Sequence, residues 1–165
     1  MGTNFFTNEK GNTLLEKIEG VFKYKKVHFF DALVGYFRAS GYFRIRKFIQ
    51  QTPKIRILVG INVDKLTYQA NQQGLLFNPN AELSQEEFFN DIKRNIQEAE
   101  YDKEVEEGMY QFIEDIVTGR ITMRIHPKQN IHAKIYIFRE EVYHPHGYGS
   151  VITGSSNLTE AGLEK

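Results

Sequence analysis

The sequence predicts an α/β fold with a mixed, largely parallel β-sheet flanked by helices. About five segments have strand character and about four have helical spacing, in mixed order along the chain. The first strand, helix and strand follow one another within about 35 residues, which is typical of a right-handed crossover between parallel strands. The strand segments are rich in Val, Ile and Phe, as expected of a largely buried sheet.

The first two elements are a helix and a strand. The apolar residues of NTLLEKIEGVFKY recur at helical spacing, which predicts a helix over residues 12–24 with Asn12 as its N-cap. HFFDALVGYF, residues 28–37, is rich in aromatic and aliphatic residues and predicts a buried strand.

The next helix and strand complete the predicted crossover. SGYFRIRKFIQQ, residues 40–51, predicts a helix that starts at a Ser40 cap and ends before Pro53. KIRILVGI, residues 54–61, alternates branched apolar residues and predicts the second strand.

The middle of the chain is predicted to be a loop followed by two helices. Residues 62–83 contain NQQG and NPNA and few apolar residues, which indicates a loop. SQEE has the form of a capping box and opens an acidic helix predicted over residues 84–99. The apolar spacing from 105 to 116 predicts another helix, which Gly119 ends.

Three further strands are predicted near the end of the chain: ITMRIH at 121–126, IHAKIYIF at 131–138 and SVITG at 150–154. Side chains alternate across a strand, so His132, Lys134 and Tyr136 are expected on one face of the second of these strands. The other face carries Ile and Ala, and we expect that apolar set to anchor the strand in the core.

Length and composition limit the classes of protein to consider. The chain has 165 residues, which is typical of one domain. It has no cysteine, which excludes disulfides and thiolate metal sites. No apolar run reaches the ~18 residues of a membrane span, and the N-terminus lacks the pattern of a signal peptide. We therefore expect a cytoplasmic protein with no membrane partner.

Charge is distributed unevenly although the formal net charge is zero. Residues 1–60 carry 11 Lys and Arg against 4 Asp and Glu, whereas residues 61–119 carry 4 against 13. The basic part suits contact with phosphates, and the acidic part is expected to face water or a partner.

Two short stretches carry residues suited to chemistry on a phosphate. His132 and Lys134 bring an imidazole and an ammonium, and the run GSSNLT follows some twenty positions later. Gly154 permits close backbone approach to a ligand, while Ser155, Ser156 and Asn157 offer small polar groups at the start of a predicted helix. Ser156 or Asn157 is the predicted cap of that helix. Solvent-facing residues and a simple helix cap remain the alternative interpretation.

The pattern His-x-Lys followed by Gly-Ser-x-Asn resembles the catalytic motif of the phospholipase D superfamily. ALVGYFRASGYF and KIRILVGINVDKLTY look like the N-terminal phospholipase-D-like domains attached to bacterial helicase-like proteins. The resemblance implies a single phospholipase-D-like domain over residues 1–165. We expect this chain to be an N-terminal fragment of a longer protein with C-terminal helicase-like domains, because the sequence stops just after NLTEAGLEK begins a helix.

The resemblance also implies an activity. It implies phosphodiester cleavage without metal or other cofactor, in which His132 attacks phosphorus and Lys134, Ser155 and Asn157 hold the phosphate. A second histidine protonates the leaving group, and the sequence has one such motif, so a homodimer that pairs two copies is expected. Nucleic acid is the expected substrate, with DNA favoured over RNA.

One position departs from the family pattern. The motif has an aspartate five residues after the lysine, where this sequence has Arg139. The departure and the single motif favour an alternative, a binding module that holds nucleic acid for a helicase without cleaving it.

Other candidates are weighed against simpler interpretations. YFRASGYFRIRKF interleaves rings with four basic residues that could contact nucleic acid, Arg38, Arg44, Arg46 and Lys47. An amphipathic helix whose arginines reach solvent explains the same pattern. His144 and His146 flank a proline without cysteines or a clear carboxylate partner, so we interpret them as loop residues and predict no metal site.

Overall fold

The computed structural model describes residues 5–7, 9–63, 103–125, 131–142, 145 and 149–164. Within these residues five strands form one sheet and four helices lie beside it. The strands are β1 Phe29–Phe37, β2 Lys54–Val63, β3 Ile121–Ile125, β4 Ile135–Arg139 and β5 Ser150–Thr153. The helices are α1 Leu14–Tyr24, α2 Ala39–Ile49, α3 Lys103–Val117 and α4 Glu160–Glu164.

The sheet is mixed, and its strand order is β3-β2-β1-β4-β5. The pairings of β1 with β2 and of β2 with β3 are parallel, whereas β4 is antiparallel to β1 and β5 to β4. Half of the pairings are therefore parallel, and the prediction of a largely parallel sheet overestimated them. The connection between β4 and β5 covers residues 140–149, which is shorter than the dozen or so residues that a parallel crossover needs.

One face of the sheet forms the core together with the four described helices. Phe30, Ala32 and Val34 of β1 lie side by side with Ile55, Ile57 and Val59 of β2, and all six are buried. Phe22 of α1 packs edge-on against Phe30, and Phe112 of α3 stacks on Phe37. The opposite face carries polar and apolar side chains together, Asp31, Leu33, Arg56, Leu58, Arg124, Ile135 and Ile137 among them.

The orientation of β4 is the reverse of the prediction. Tyr136 and Phe138 are each only 1% exposed and enter the core, while Ile135 and Ile137 lie half-buried on the opposite face. The larger set is buried because its rings fill the space under α1. Phe138 stacks on Phe30 at a centroid distance of 5.0 Å and meets Phe22 edge-on. Aromatic side chains bury more area than Ile and Ala, so this choice gains more hydrophobic stabilisation.

Helix starts were predicted less accurately than helix ends. Thr13, not Asn12, caps α1, because Glu16 three residues later returns the hydrogen bond to the Thr13 backbone and completes a capping box. α2 begins at Ala39 after Arg38, with no side-chain cap bond within the described residues, so the predicted Ser40 cap was wrong. Gly119 adopts φ 72° just beyond α3, which confirms it as the end of that helix.

Strand boundaries also differ from the prediction. β1 starts one residue later than predicted, and β2 extends to Val63. The rest of the predicted 62–83 loop and the acidic helix at 84–99 lie outside the described residues. The longest described helix, α3, has 15 residues, and none of the described helices is long and apolar enough to cross a membrane.

A buried ionic network joins the ends of α2 and α3. Asp115, whose residue is 2% exposed, accepts hydrogen bonds from the Arg120 guanidinium and from the Tyr42 hydroxyl, the latter at 2.7 Å. Arg120 also donates to the carbonyls of Ile49 and Thr52, at 2.8 and 3.1 Å. Burial and the carboxylate raise the pKa of Tyr42 above its ordinary value, so its hydroxyl remains a donor.

Replacing the carboxylate of this network is expected to be costly. Asp115→Ala should lower the free energy of unfolding by about 3–5 kcal/mol, because it leaves Arg120 largely buried without its counter-charge. Urea denaturation followed by circular dichroism measures the change. Glu114→Ala, on the exposed side of the same helix, is the matched control and should change stability by less than about 0.5 kcal/mol. Similar losses in the two variants would contradict a specific role for the network.

Candidate functional site

One edge of the sheet brings together the ends of four strands. The parallel strands β1 and β2 finish at this edge, and β4 begins there because it is antiparallel to β1. β5 finishes there as well, since Thr153 pairs with Ile135. Residues 131–134 and 154–157 are thus neighbours at the carboxyl edge of the parallel strands, where open α/β sheets bind ligands.

Residues 131–134 precede β4 and are not part of it, so the predicted strand over 131–138 was too long at its start. Before Ile135 the chain leaves β1 and reaches toward β2, where the Ile131 N–H donates to the Gly60 carbonyl at 3.2 Å. A Cβ on Gly60 would collide with the carbonyl oxygen and Cβ of Ile131. The absence of a side chain at Gly60 is therefore what lets the segment carrying His132 lie against β2.

His132 and Lys134 are in direct contact. The Lys134 ammonium lies 2.6 Å from Nδ1 and 3.2 Å from Nε2 of the His132 ring, and it donates to the His132 carbonyl at 2.6 Å. His132 is exposed, whereas Lys134 is 4% exposed. Burial lowers the pKa of Lys134 below its ordinary value, because desolvation disfavours the charged amine.

The Gly-Ser-Ser-Asn run is attached to the strands that carry the other half of the motif. The Gly154 N–H donates to the Lys134 carbonyl at 3.3 Å, which extends the β4–β5 pairing by one position. The Tyr136 hydroxyl donates to the Ser156 carbonyl at 2.8 Å. The amide oxygen of Asn157 accepts from the Tyr36 N–H at 2.9 Å, which ties the run to the end of β1.

The helix that follows this run is capped by a different residue from those predicted. The Gly162 N–H donates to the Thr159 hydroxyl at 3.0 Å, and the Leu163 N–H donates to the Thr159 carbonyl. Thr159 is therefore the cap, and the expectation that Ser156 or Asn157 caps α4 was wrong. Asn157 instead makes its contact across the sheet edge, and Ser155 is exposed beside it.

The structure does not gather the four predicted nucleic-acid-binding residues into one surface. Arg38 is exposed next to the site, where its N–H donates to the Leu158 carbonyl. Arg44 forms ion pairs with Glu160 and Glu164 of α4 at 2.8 and 3.1 Å. Two residues lie further along α2: Arg46, 4.0 Å from Glu107, and Lys47, over the ring of Phe48.

Arg139, at the position where the phospholipase D motif has an aspartate, lies away from the site. It is at the last position of β4, whereas His132 and Lys134 precede the first. Its guanidinium donates to Asp31 at 2.9 Å and covers the ring of Phe29. Asp31 also accepts two bonds from Arg56, at 2.6 and 2.7 Å. Arg139 therefore takes part in an ion-pair cluster on the face of the sheet opposite the core.

Histidines other than His132 are not brought to this edge within the described residues. His28 lies at the opposite edge of the sheet, in a cavity of about 400 Å³ that Lys25, Lys26 and Lys47 also line. No group of three His, Asp or Glu side chains in the described part of the chain is arranged to hold a metal ion. His144 and His146 lie outside the described residues.

Sequence reasoning missed three residues that build the site. Gly60 could have been noticed as a glycine inside an apolar strand, which often marks close backbone approach. Tyr136 was assigned to the Lys134 face, but its bond to Ser156 spans 20 residues and has no local signal. Tyr36 contributes only its backbone N–H, which no side-chain motif can indicate.

The assembled groups can bind an oxyanion. A buried ammonium, an imidazole and exposed loop groups lie at one sheet edge, and such groups can stabilise charge on phosphoryl oxygens. The Lys134 ammonium approaches both ring nitrogens of His132, and which nitrogen accepts depends on the tautomer of the ring. A ring nitrogen that carries a lone pair is the form in which histidine acts as a nucleophile.

Gly60→Ala is expected to displace the segment that carries His132. The added methyl collides with Ile131, which should cost about 1–3 kcal/mol of stability and shift the backbone amide resonances of residues 131–134. Gly20→Ala is the matched control, because no atom lies within 4 Å of the added Cβ in α1, and it should stabilise the chain by about 0.5–1 kcal/mol. Resonances at 131–134 that do not move in Gly60→Ala would contradict the close approach.

The Asp31 cluster is expected to make stability depend on pH. Burial alone would raise the pKa of Asp31, but bonds from Arg56 and Arg139 outweigh it and hold the pKa below its ordinary value of 3.8. The carboxylate therefore stabilises the fold above that value, and this contribution is lost as the pH falls through the folded-state pKa. Asp31→Asn should flatten the stability profile between about pH 5 and about pH 3. The exposed Glu140→Gln should leave the profile unchanged, and an unaltered profile in Asp31→Asn would refute the cluster's contribution.

No protein-family model matches this chain, and no curated protein matches it with significance. The identification of the candidate site therefore rests on the residues and geometry of the chain itself.

Proposed function

We propose that the chain is a phosphodiesterase domain of the phospholipase D type that cleaves nucleic acid, DNA in preference to RNA, without a metal ion. The observation that supports this best is the contact between the Lys134 ammonium and the His132 ring, beside the backbone of Gly154. A nucleophile next to a fixed cation and a set of small donors is what phosphoryl transfer requires.

In the proposed reaction His132 is the nucleophile. A phosphate that enters the site draws the Lys134 ammonium onto its oxygens, which releases the ring lone pair. That lone pair attacks phosphorus, an N–P bond forms, and the ester P–O bond to the leaving group breaks. Water then attacks phosphorus and gives a proton to the second histidine, which acted as the acid in the first step; the N–P bond breaks, and the His132 imidazole is restored. Splitting one displacement into two steps lets a histidine nucleophile act where water alone attacks slowly.

The acid that protonates the leaving oxygen comes from a second copy of the chain. The leaving oxygen needs a proton, and the histidine that formed the N–P bond cannot supply it in the same step. A homodimer that places the partner's equivalent histidine across the phosphate would provide the acid, since histidine titrates near neutral pH. Lys134, Ser155 and Asn157, with the backbone N–H of Ser156, would stabilise the developing charge.

The setting of the reaction is proposed from the sequence resemblance. Residues of β1, α2 and β2 resemble N-terminal domains of bacterial helicase-like proteins, which supports a role beside a nucleic-acid motor in the cytoplasm. Arg38, exposed next to the site, would contact the backbone of the strand being cleaved.

A nucleic-acid-binding module without turnover is the second candidate. Two observations favour it. Within the described residues no carboxylate hydrogen-bonds to the His132 ring, and Arg139 is committed to Asp31 on the other face. A histidine without a carboxylate partner is less well oriented and its cationic form is less stabilised, which would slow proton transfer.

Cleavage assays with a matched histidine variant separate the two candidates. The purified chain is incubated with a chromogenic phosphodiester and with single- and double-stranded DNA and RNA, in excess chelator. Chelator-resistant cleavage is expected, and His132→Ala should reduce it at least about 100-fold. His28→Ala, at the opposite edge of the sheet, should keep the activity of the unmodified chain.

Three results would each contradict one part of the proposal. Binding without cleavage in the unmodified chain and in His132→Ala supports the binding module. Activity that chelator removes rules out the metal-free route. A monomer by analytical ultracentrifugation in an active preparation excludes the paired-histidine arrangement.

A further inference from the structure

The two halves of the candidate site come from different parts of the chain, and one buried hydroxyl connects them. Lys134 precedes β4 and the Gly-Ser-Ser-Asn run follows β5. Tyr136 lies two residues after Lys134 on the same face of the chain, and its hydroxyl donates to the Ser156 carbonyl at 2.8 Å. The same short segment therefore carries a phosphate-binding cation and a donor that fixes the opposite half of the site.

The ring of Tyr136 is enclosed by the core, which fixes the position of its hydroxyl. The residue is 1% exposed and is part of the hydrophobic core beneath the helices. Burial raises the pKa of Tyr136 above its ordinary value, so the hydroxyl stays protonated and can donate throughout the neutral and mildly alkaline range. A buried ring has few alternative rotamers in a close-packed core, so the hydroxyl has one place to point.

The bond acts at the centre of the run. Ser156 stands between Ser155, which is exposed, and Asn157, which is anchored by its amide oxygen to the Tyr36 N–H. On the other side, Gly154 is anchored to the Lys134 carbonyl. The Tyr136 bond thus lies between two anchored ends of the run, and it sets where Ser155 presents its hydroxyl and N–H.

We infer that Tyr136 is a positioning residue, which fixes the Gly154–Asn157 segment in register with Lys134 so that both halves of the site meet one phosphate. The inference rests on the proposed phosphate site but does not require that the site turn over substrate. It assigns Tyr136 no contact with the phosphate itself, because its hydroxyl is already bonded to the Ser156 carbonyl.

Removing the hydroxyl alone tests this role. Tyr136→Phe keeps the buried ring, so the chain should fold, with a small decrease in the urea concentration at the unfolding midpoint from the loss of one hydrogen bond. The affinity for inorganic phosphate, measured by NMR titration, should fall about 10-fold. If the chain cleaves phosphodiesters, kcat/KM should fall about 10- to 100-fold, mostly in kcat, because a small misplacement of positioned groups costs more in the transition state than in binding. Amide resonances of residues 154–157 should shift.

Tyr42→Phe is the matched control. Tyr42 is also a tyrosine at 1% exposure, and its hydroxyl also makes a buried bond, 2.7 Å to Asp115, but in the network between α2 and α3. Its removal should destabilise the chain at least as much, while phosphate affinity and kcat/KM change less than about twofold.

Each outcome decides between distinct statements. Unchanged phosphate affinity in Tyr136→Phe overturns the positioning role, and so do equal losses in Tyr136→Phe and Tyr42→Phe, which would indicate a general effect of stability. If the unmodified chain binds phosphate without cleaving any phosphodiester, the proposed enzymatic function fails while the affinity comparison still decides the role of Tyr136. If the unmodified chain binds no phosphate, both the site and the positioning role are wrong.

Discussion

The antiparallel register of β4 against β1 is the constraint on which the candidate site depends. Phe138 pairs with Phe30 in this register, and their stacked rings fix it within the core. Because side chains alternate along a strand, the same register places Tyr136 in the core and directs Lys134 to that side of the sheet. A slip of one residue would move Lys134 to the opposite face, away from the Gly154 segment. A purely hydrophobic contact near one end of β4 thus determines on which side of the sheet Lys134 lies at the other end.

Local sequence signals were enough to predict the elements, but not which side of β4 faces the core. The two parallel strands with their crossover and the glycine that ends α3 each follow from a short pattern. β4 was ambiguous because both of its alternate sets are apolar, Ile with Ala on one side and Tyr with Phe on the other. Only the space beneath α1 decides between them. Asn and Thr are both good N-caps. The three-residue spacing from Thr13 to Glu16 forms a capping box and so favours Thr13 over Asn12.

Only part of the candidate site could likewise be predicted from local sequence. The contact between His132 and Lys134 follows from a separation of two residues, so a sequence pattern suffices to predict it. The bonds that hold the Gly154–Asn157 segment join residues 20 or more positions apart, and they involve backbone groups that every residue possesses. Charge was misleading for a related reason: the four cations predicted to bind nucleic acid do not form one surface, because α2 distributes Arg44, Arg46 and Lys47 around its circumference. Two of these cations, Arg44 and Arg46, are paired with glutamates.

The burial of Lys134 has a consequence for how the chain would respond to its ionic surroundings. Dissolved salt weakens attraction between charges that water can reach, over a Debye length of about 8 Å at physiological ionic strength. Lys134 is 4% exposed, so counterions have little access to it, whereas Arg38 is exposed and fully subject to them. A bound nucleic acid would therefore be held by two kinds of contact. The outer contact fades with rising salt as condensed ions return to the backbone, and the inner one persists, so that the scissile phosphate would be the last group to be released.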